Sequence, residues 1–208
     1  MKSWMMTAFA AVAAVALGVA TVAVAGEKDK AEKKGLIGQQ APSFSLQDQT
    51  GKTVSLDDYK GKLVVLEWFN DECPFVQKHY KEGHMNKLAK DYAEKDVVWL
   101  AINTTSSHDN DHNKAIAAKW NIDRPILNDQ TSKTGKAYGA TNTPHMFVID
   151  KGGVVAYAGA IDSNRSSDTK DIEGATNYVS KALDELLAGS NVSQPETKAY
   201  GCTVKYAK

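Results

Sequence analysis

The stretch VVLEWFNDECPFVQKHY, Val64 to Tyr80, decides the fold of this chain. An apolar strand runs into a short polar turn that ends in Cys73 and Pro74 at the start of a helix. Pro74 suits the first helical position, where its missing N–H is not needed, so Cys73 lies where free N–H groups point. The positive end of the helix dipole favours a thiolate there. We therefore expect a reactive thiol rather than a cysteine acting as a small buried hydrophobe, and the neighbouring Asp71 and Glu72 predict an exposed turn.

This segment resembles the active-site segment of thioredoxin-fold redoxins, in the peroxiredoxin-like branch of the alkyl hydroperoxide reductase/thiol-specific antioxidant superfamily. The residues that carry the resemblance are Glu67, Trp68, Asn70, Cys73, Pro74, His79 and Tyr80. Further matches are Ala41 to Phe44 with Leu46 and Asp48, Lys136 to Gly139, Thr143 to His145, Phe147 to Asp150, and Gly201 to Tyr206. The resemblance covers the chain from Leu36 to its end.

The resemblance implies roles for several residues besides the nucleophile Cys73. Glu67 matches the buried acid of thioredoxins and would move a proton, although a strand could also turn it toward solvent or an ion partner. Pro144 matches the cis-proline that faces the reactive cysteine, and the Thr143 backbone would then pair with an extended substrate; trans remains the default for a proline. Pro74, Trp68 and Asn70 complete the candidate binding set, although Trp68 fits core packing better.

Two departures limit what the resemblance implies. The fourth position of a thioredoxin-type Cys-x-x-Cys is Val76, so no second thiol is adjacent. Peroxiredoxins have Thr or Ser where this chain has Asn70, Pro where it has Leu66, and Arg where it has Pro144. The peroxide-binding hydroxyl is therefore missing, and peroxidase activity becomes the second choice.

Composition and charge exclude several classes of protein. The chain has 208 residues, of which 42% are hydrophobic, which suits one domain with a proper core. Its 25 basic and 25 acidic residues give a net charge of zero, so we expect no nucleic-acid partner. Two cysteines exclude a multi-cysteine zinc or iron-sulfur site, and we expect no cofactor.

The first 25 residues predict export. Lys2 is the only charge before Glu27, and an Ala/Val-rich run ends in Ala23-Val24-Ala25, the pattern of a signal peptidase site. We expect cleavage before Gly26 and a periplasmic or secreted protein, with an uncleaved membrane anchor as the alternative. Residues 26–35 form a charged spacer, 36–189 the redoxin domain, and 190–208 a tail that carries Cys202.

The hydrophobic pattern predicts an α/β fold, a thioredoxin-like three-layer α/β/α sandwich with an N-terminal β-hairpin extension. We expect buried strands at 63–69 and 96–102, a helix between them that is kinked at Gly83, and helices at 111–120, 131–138 and 178–187. Hairpins are expected around Gly51 and across Lys151 to Gly153. This order of elements agrees with the resemblance.

The histidines offer an alternative function as a metal carrier. His145 follows Pro144, and His79 lies on the helix that Cys73 begins, so a Cys with two His would suit copper or zinc. The second cysteine of such sites is missing, and His79 lies on another level of the helix. We therefore predict no metal site and expect His84, His108 and His112 at the surface.

These observations favour an exported thiol-disulfide oxidoreductase that acts on a thiol or disulfide substrate through Cys73. The tail is long enough to fold back, Gly201 removes bulk beside the second thiol, and Val204 and Tyr206 alternate as in a docked extended segment. Cys202 is therefore a candidate resolving thiol, although the pair could also form a structural bridge. A thiol peroxidase and a non-enzymatic binding module are the alternatives.

Overall fold

The computed structural model describes residues 35–207. The predicted signal peptide and all but Gly35 of the predicted spacer lie outside the described residues. None of the helices in the described range is long and apolar enough to cross a membrane.

A seven-stranded sheet forms the centre of the fold. The strands are β1 (Ser45–Gln47), β2 (Thr53–Ser55), β3 (Leu63–Phe69), β4 (Val97–Asn103), β5 (Ile126–Asn128), β6 (Asn142–Thr143), β7 (His145–Ile149), β8 (Val155–Gly159) and β9 (Cys202–Thr203). Seven of them pair in the order β2-β1-β5-β4-β3-β7-β8, while β6 and β9 form a separate antiparallel pair. Strands β3, β4 and β5 are parallel, and the outer strands are antiparallel.

Helices cover the sheet on both sides. They are α1 (Pro74–Tyr80), α2 (His84–Ala93), α3 (Asn110–Trp120), α4 (Lys133–Tyr138) and α5 (Tyr178–Leu187), with short 3-10 helices at Leu56–Tyr59 and Thr169–Ile172. One apolar core joins the sheet to α1, α2, α3 and α5, and the other joins it to α4, the β1–β2 hairpin and the C-terminal tail. The predicted three-layer α/β/α sandwich with its hairpin extension is confirmed.

Strand β3 lies at the centre of both cores. All seven of its residues are buried. Because successive side chains point to opposite faces, Val65 and Phe69 pack on the α1 side, while Val64 and Leu66 pack on the other side. A strand covered on both faces needs a nearly continuous apolar sequence, which is what Leu63–Phe69 has.

The expected helix kink is a complete break. Helix α1 ends at Tyr80, and α2 begins after Gly83, which has a φ of 74° in the left-handed region. Glycine adopts this conformation without steric cost, so the chain changes direction there. The strands β5 and β6 were not predicted, because three and two residues are too few for a periodic signal.

A buried ionic network around Glu67 lies within the core on the α1 side. The Glu67 carboxylate accepts hydrogen bonds from the Tyr80 hydroxyl at 2.8 Å and from the Trp99 indole at 3.0 Å. Arg124 lies 3.4 Å from the same carboxylate and donates to Tyr80 at 2.7 Å. Glu67 is 0% exposed and Arg124 8% exposed, so the network joins α1, β3 and β4 to the segment before β5 within the core.

We expect Arg124→Met to lower the free energy of unfolding by about 3 kcal/mol, because it leaves the buried Glu67 carboxylate without its counter-ion. Chemical denaturation measures the change. Lys62→Met is the matched control, since it removes a cation from the exposed pair with Asp96 and should cost less than about 1 kcal/mol. Equal losses in the two variants would contradict a special role for the buried pair.

Candidate functional site

Cys73 stands at the junction of strand and helix that the sequence predicts. It is the N-cap residue of α1, and Pro74 follows at the first helical position. The turn before it is held by Asn70, whose backbone carbonyl accepts from the Cys73 N–H at 3.1 Å and whose side chain accepts from the Glu72 N–H at 2.8 Å. The backbone of this turn therefore positions the sulfur.

The prediction of an exposed turn is wrong for Cys73 and for Asp71. Cys73 is 1% exposed and Asp71 8% exposed, while Glu72 points to solvent. The charged residues beside Cys73 carry no signal that the C-terminal tail and the loop at Pro144 cover the turn. These residues are buried by segments distant in the sequence, not by anything in the local sequence.

The loop before β7 and the tail meet directly over Cys73. The bond between Thr143 and Pro144 is cis, and the Cys73 thiol donates a hydrogen bond to the Thr143 carbonyl at 2.9 Å. In the β6–β9 pair, Thr143 lies opposite Cys202. The tail is therefore an extended segment docked on the Thr143 edge, as predicted, and it brings the second cysteine to the first.

Gly201 is required for this close approach. Its φ is +112°, a region that favours glycine, and a Cβ at this position would overlap the Thr143 carbonyl. The same Cβ would also come within 3.4 Å of Phe75. The prediction that Gly201 removes bulk beside the thiol is confirmed.

The pKa values of the two thiols are shifted in opposite directions. Burial alone would raise the pKa of Cys73, but hydrogen bonds from Cys202, from Thr143 and from the Val76 N–H stabilise the thiolate and lower that pKa. The contact between the Cys73 thiol and the Thr143 carbonyl favours the protonated form and opposes this effect. For Cys202, burial, its bond to Cys73 and the nearby negative charge raise the pKa to about 11. The pKa of Cys73 is therefore lowered and that of Cys202 raised, so Cys73 is the first of the two thiols to ionise as the pH rises.

The tail is anchored before Cys202 by a buried polar cluster. The Tyr200 hydroxyl donates to the Asp162 carboxylate at 2.6 Å, and Lys78 of α1 lies 3.5 Å from the same carboxylate. The Tyr200 ring packs on Phe75 with centroids 5.9 Å apart. Both Lys78 and Asp162 are fully or nearly fully buried, so the helix that Cys73 begins and the tail share one fixed anchor.

A second anchor follows Cys202. The Tyr206 hydroxyl donates to the Ala140 carbonyl, and the Ala207 N–H donates to the Ser132 hydroxyl at 2.8 Å. The backbone N–H of Val204 donates to Thr141. The segment that carries Cys202 is therefore held on both sides.

The other candidate residues differ in how exposed they are. Pro74 is exposed beside the thiol, while Thr143 and Pro144 are buried under the tail. Trp68 is 0% exposed and packs on Tyr138 and Phe147, which agrees with core packing; its place in the candidate binding set stays a prediction.

Asn70 and Glu67 have structural partners that bear on their predicted roles. Asn70 is 2% exposed and holds the turn with its side chain. Of the two alternatives for Glu67, the structure shows the ion partner, Arg124. The proton-transfer role of Glu67 and the substrate-binding role of Asn70 stay predictions.

The histidines differ from the expectation. His84 is exposed as predicted and His112 is partly exposed, but His108 is only 4% exposed, so its assignment to the surface is wrong. His79 faces Asp162 at 3.7 Å, and His145 packs on Phe147. Within residues 35–207, the one group of three potential metal ligands is Asp71, His108 and His112 rather than a set built on Cys73.

Sequence reasoning missed this group and the Tyr200 anchor. A signal for the histidines existed: His108 and His112 are four residues apart at a helix start that follows β4, while Asp71 follows β3. Adjacent parallel strands end at the same edge of a sheet, so the three side chains could have been placed together. Nothing in the sequence marks Asp162 as the partner of Tyr200.

Comparisons with known proteins agree with the resemblance that the sequence predicts. The sequence model of the AhpC/TSA family matches residues 37–158. The chain is 34% identical to the chloroplastic peroxiredoxin Q of Arabidopsis thaliana over 166 residues, 72% of each chain. It is 32% identical to the thiol-disulfide oxidoreductase ResA of Bacillus thuringiensis over 60% of this chain and 69% of ResA.

A solved structure extends the similarity to most of the fold. A conserved protein of Geobacillus kaustophilus superimposes with a TM-score of 0.74 at 29% identity, over 84% of this chain and 94% of that one. These findings confirm the resemblance that the sequence predicts.

We expect the thiolate of Cys73 in the reduced protein to titrate with a midpoint below the ordinary value of about 8.5. Cys202→Ala should raise this midpoint, because it removes the thiol that donates to the thiolate. Ultraviolet absorbance of the thiolate across a pH series measures both. In the reciprocal control, Cys73→Ala, the midpoint of Cys202 should fall from about 11, since the neighbouring charge is gone. A Cys73 midpoint that does not respond to Cys202→Ala would contradict the coupling.

Proposed function

Since this chain belongs to the AhpC/TSA family of thiol-dependent oxidoreductases, we propose that it is a thiol-disulfide oxidoreductase with Cys73 as nucleophile and Cys202 as resolving thiol. The observation that carries the proposal is the placement of both cysteines on Thr143: Cys73 at the start of α1 donates to its carbonyl, and Cys202 lies opposite it in the β6–β9 pair. The lowered pKa of Cys73 and the raised pKa of Cys202, about 11, agree with this assignment. Thiolates rather than thiols attack disulfides, so the first attack belongs to Cys73.

The reaction follows from this assignment. The Cys73 thiolate attacks one sulfur of a substrate disulfide; a new S–S bond forms, the old one breaks, and the leaving thiolate takes the electron pair and then a proton. Once Cys73 is in the mixed disulfide, its negative charge no longer raises the pKa of Cys202. Cys202 then loses its proton and attacks the Cys73 sulfur, which releases the second substrate thiol. The substrate gains two electrons, the protein keeps a Cys73–Cys202 disulfide, and a dithiol reductant restores it.

Substrate access requires the tail to move. Cys73 is 1% exposed, and β9 occupies the edge of Thr143 that an extended partner would use. We assign Thr143 and Pro144 to partner binding, with the tail as the segment that the partner replaces. The partner is a protein or small molecule that carries a thiol or disulfide.

Peroxide is the second candidate substrate, supported by the similarity to peroxiredoxin Q. Attack of the Cys73 thiolate on a peroxide would give a sulfenic acid and release an alcohol or water, and Cys202 would condense with it to a disulfide and water. Asn70 counts against this substrate, because it replaces a hydroxyl residue and its side chain already binds the Glu72 N–H. We therefore rank disulfide exchange first.

Export is part of the proposal. Its support is the leader pattern in residues 1–25, and an oxidising compartment would let two cysteines work as a disulfide pair.

Mass spectrometry of exported protein should show a chain that starts at Gly26. An intact Met1, or association with membranes that survives high salt, would indicate an anchor instead.

We expect Cys202→Ser, treated with glutathione disulfide, to accumulate a glutathione adduct on Cys73, because no resolving thiol remains. The wild-type protein should release glutathione and form an intramolecular disulfide. Mass spectrometry after acid quenching distinguishes the two products. In Cys73→Ser, burial still raises the pKa of Cys202 although the Cys73 charge is gone, so Cys202 should be modified more slowly than Cys73 is in Cys202→Ser. An adduct on Cys202 alone would reverse the assignment of roles.

The redox potential separates a working bridge from a structural one. The Cys73–Cys202 disulfide should be reduced at a midpoint above about −300 mV in a glutathione titration. A lower midpoint, with no trapped adduct, would mean that the bridge only holds the tail.

Insulin reduction and peroxide consumption, each compared with Cys73→Ser, rank the two substrates. Rates no higher than that variant's in both assays would favour a binding module.

A further inference from the structure

A second group of chemically reactive side chains lies at the same end of the sheet. Asp71 follows β3; His108 lies two residues before α3, the helix that follows β4, and His112 lies in its first turn. Their ligand atoms all lie within 4.8 Å of one another. Asp71 and His108 are 8% and 4% exposed, which is unusual for polar groups unless something compensates their burial.

The carboxylate of Asp71 is the centre of the group. Its Oδ1 lies 2.9 Å from Nε2 of His112 and 3.4 Å from Nδ1 of His108. The two imidazole rings are stacked, with centroids 3.6 Å apart and an interplanar angle of 18°. One oxygen thus faces two ring nitrogens.

The hydrogen bonds of Asn103 determine the state of His108. Asn103 accepts from the Thr105 N–H at 3.0 Å, which makes that atom the oxygen, and its amide nitrogen donates to Asn113 at 2.8 Å. The same nitrogen faces Nδ1 of His108 at 3.2 Å, so Nδ1 is an acceptor. Because the lone pair of Nδ1 accepts from Asn103, Nδ1 carries no proton for the Asp71 oxygen, which lies 3.4 Å away. A cation between these two acceptors would turn an unfavourable contact into a favourable one.

We propose that Asp71, His108 and His112 bind a divalent transition-metal ion, with Zn²⁺ as the probe. Two imidazole nitrogens and one carboxylate oxygen are a donor set that suits such ions and leaves a coordination position open. Ligands held about 2.0–2.1 Å from a tetrahedral ion lie about 3.3 Å apart, close to the separations of Asp71 from the two rings. The ion displaces the Nε2 proton of His112.

Binding requires two local adjustments. The stacked rings must splay so that each lone pair points at the ion, and His112, whose side chain is 31% exposed in the first turn of α3, has room to move. The ion takes the lone pair that Asn103 now uses, while the Asn103 amide keeps its bond to Asn113. Both changes leave the backbone in place.

The bound ion would link α3 to the turn that carries Cys73. Asp71 is two residues before the nucleophile, so ligation ties this turn to α3 through His108 and His112. Because an ion that binds only the folded state stabilises it, the melting temperature should rise with the Zn²⁺ concentration. The site does not depend on thiol exchange, and its failure would leave the proposed function intact.

The binding experiment uses metal-free protein in which Cys73 and Cys202 are both serine, so that thiols cannot hold the ion. Calorimetric titration with Zn²⁺ should give one equivalent, and His112→Ala and Asp71→Asn should each weaken binding by about tenfold or more. His84→Ala is the matched control, because His84 is an exposed histidine with a carboxylate, Glu82, at 3.6 Å. Unchanged affinity in His112→Ala, or an equal loss in His84→Ala, would overturn the proposal.

A spectroscopic measurement covers the case in which a variant fails to fold. Cu²⁺ added to the cysteine-free protein with all histidines present should give an electron paramagnetic resonance spectrum with two nitrogen ligands. No saturable binding of either ion, or a spectrum without nitrogen couplings, would overturn the site. Binding that occurs only when Cys73 and Cys202 are present would assign the ion to the thiols instead.

Discussion

The backbone of Thr143 is the contact on which the site depends. Its carbonyl accepts from the Cys73 thiol at 2.9 Å, and Thr143 lies opposite Cys202 in the β6–β9 pair. One residue therefore positions both sulfurs, and Gly201 must lack a side chain because the two backbones meet so closely. A helix N-terminus alone would present a single thiol to solvent. Pairing of the tail with Thr143 brings Cys202 to Cys73 and also covers Cys73.

The pair is held by polar groups that are buried far from solvent. Lys78, Asp162 and Tyr200 fix the tail on α1 before Cys202, and Tyr206 fixes it on the opposite core after Cys202. Buried charges are costly unless they are paired, so these contacts define one position of the tail rather than a range of positions. In the proposed exchange, a partner would disturb only the short strand between the two anchors, and the anchors would return that strand to Cys73.

The thiol of Cys73 and the potential metal ligands lie side by side at the carboxyl ends of β3 and β4. The turn after β3 carries Asp71 and Cys73, and the segment after β4 carries His108 and His112. Asp71 faces the imidazoles, while Cys73 faces the tail, so the turn has one polar side and one thiol side. A metal ion on the polar side would restrain the same backbone that positions Cys73.

Local sequence determined most of the fold and the position of Cys73 at the helix start. The apolar run Leu63–Phe69, the Cys73-Pro74 helix start, Gly83 and the amphipathic repeat of α5 each carry a local signal, and each element is present. These signals are readable because strand alternation, helix capping and glycine conformations depend on neighbouring residues.

Only the tertiary structure decided what covers and partners these residues. Asp71 and His108 are polar and were expected in solvent, Trp68 was a candidate for the binding set, and the partners Arg124 and Asp162 carry no signal in the sequence. Burial and ion pairing between residues far apart in the chain depend on how the layers pack. The pairing of Glu67 with Arg124, and of Tyr200 with Asp162, exists only once the sheet has brought their segments together.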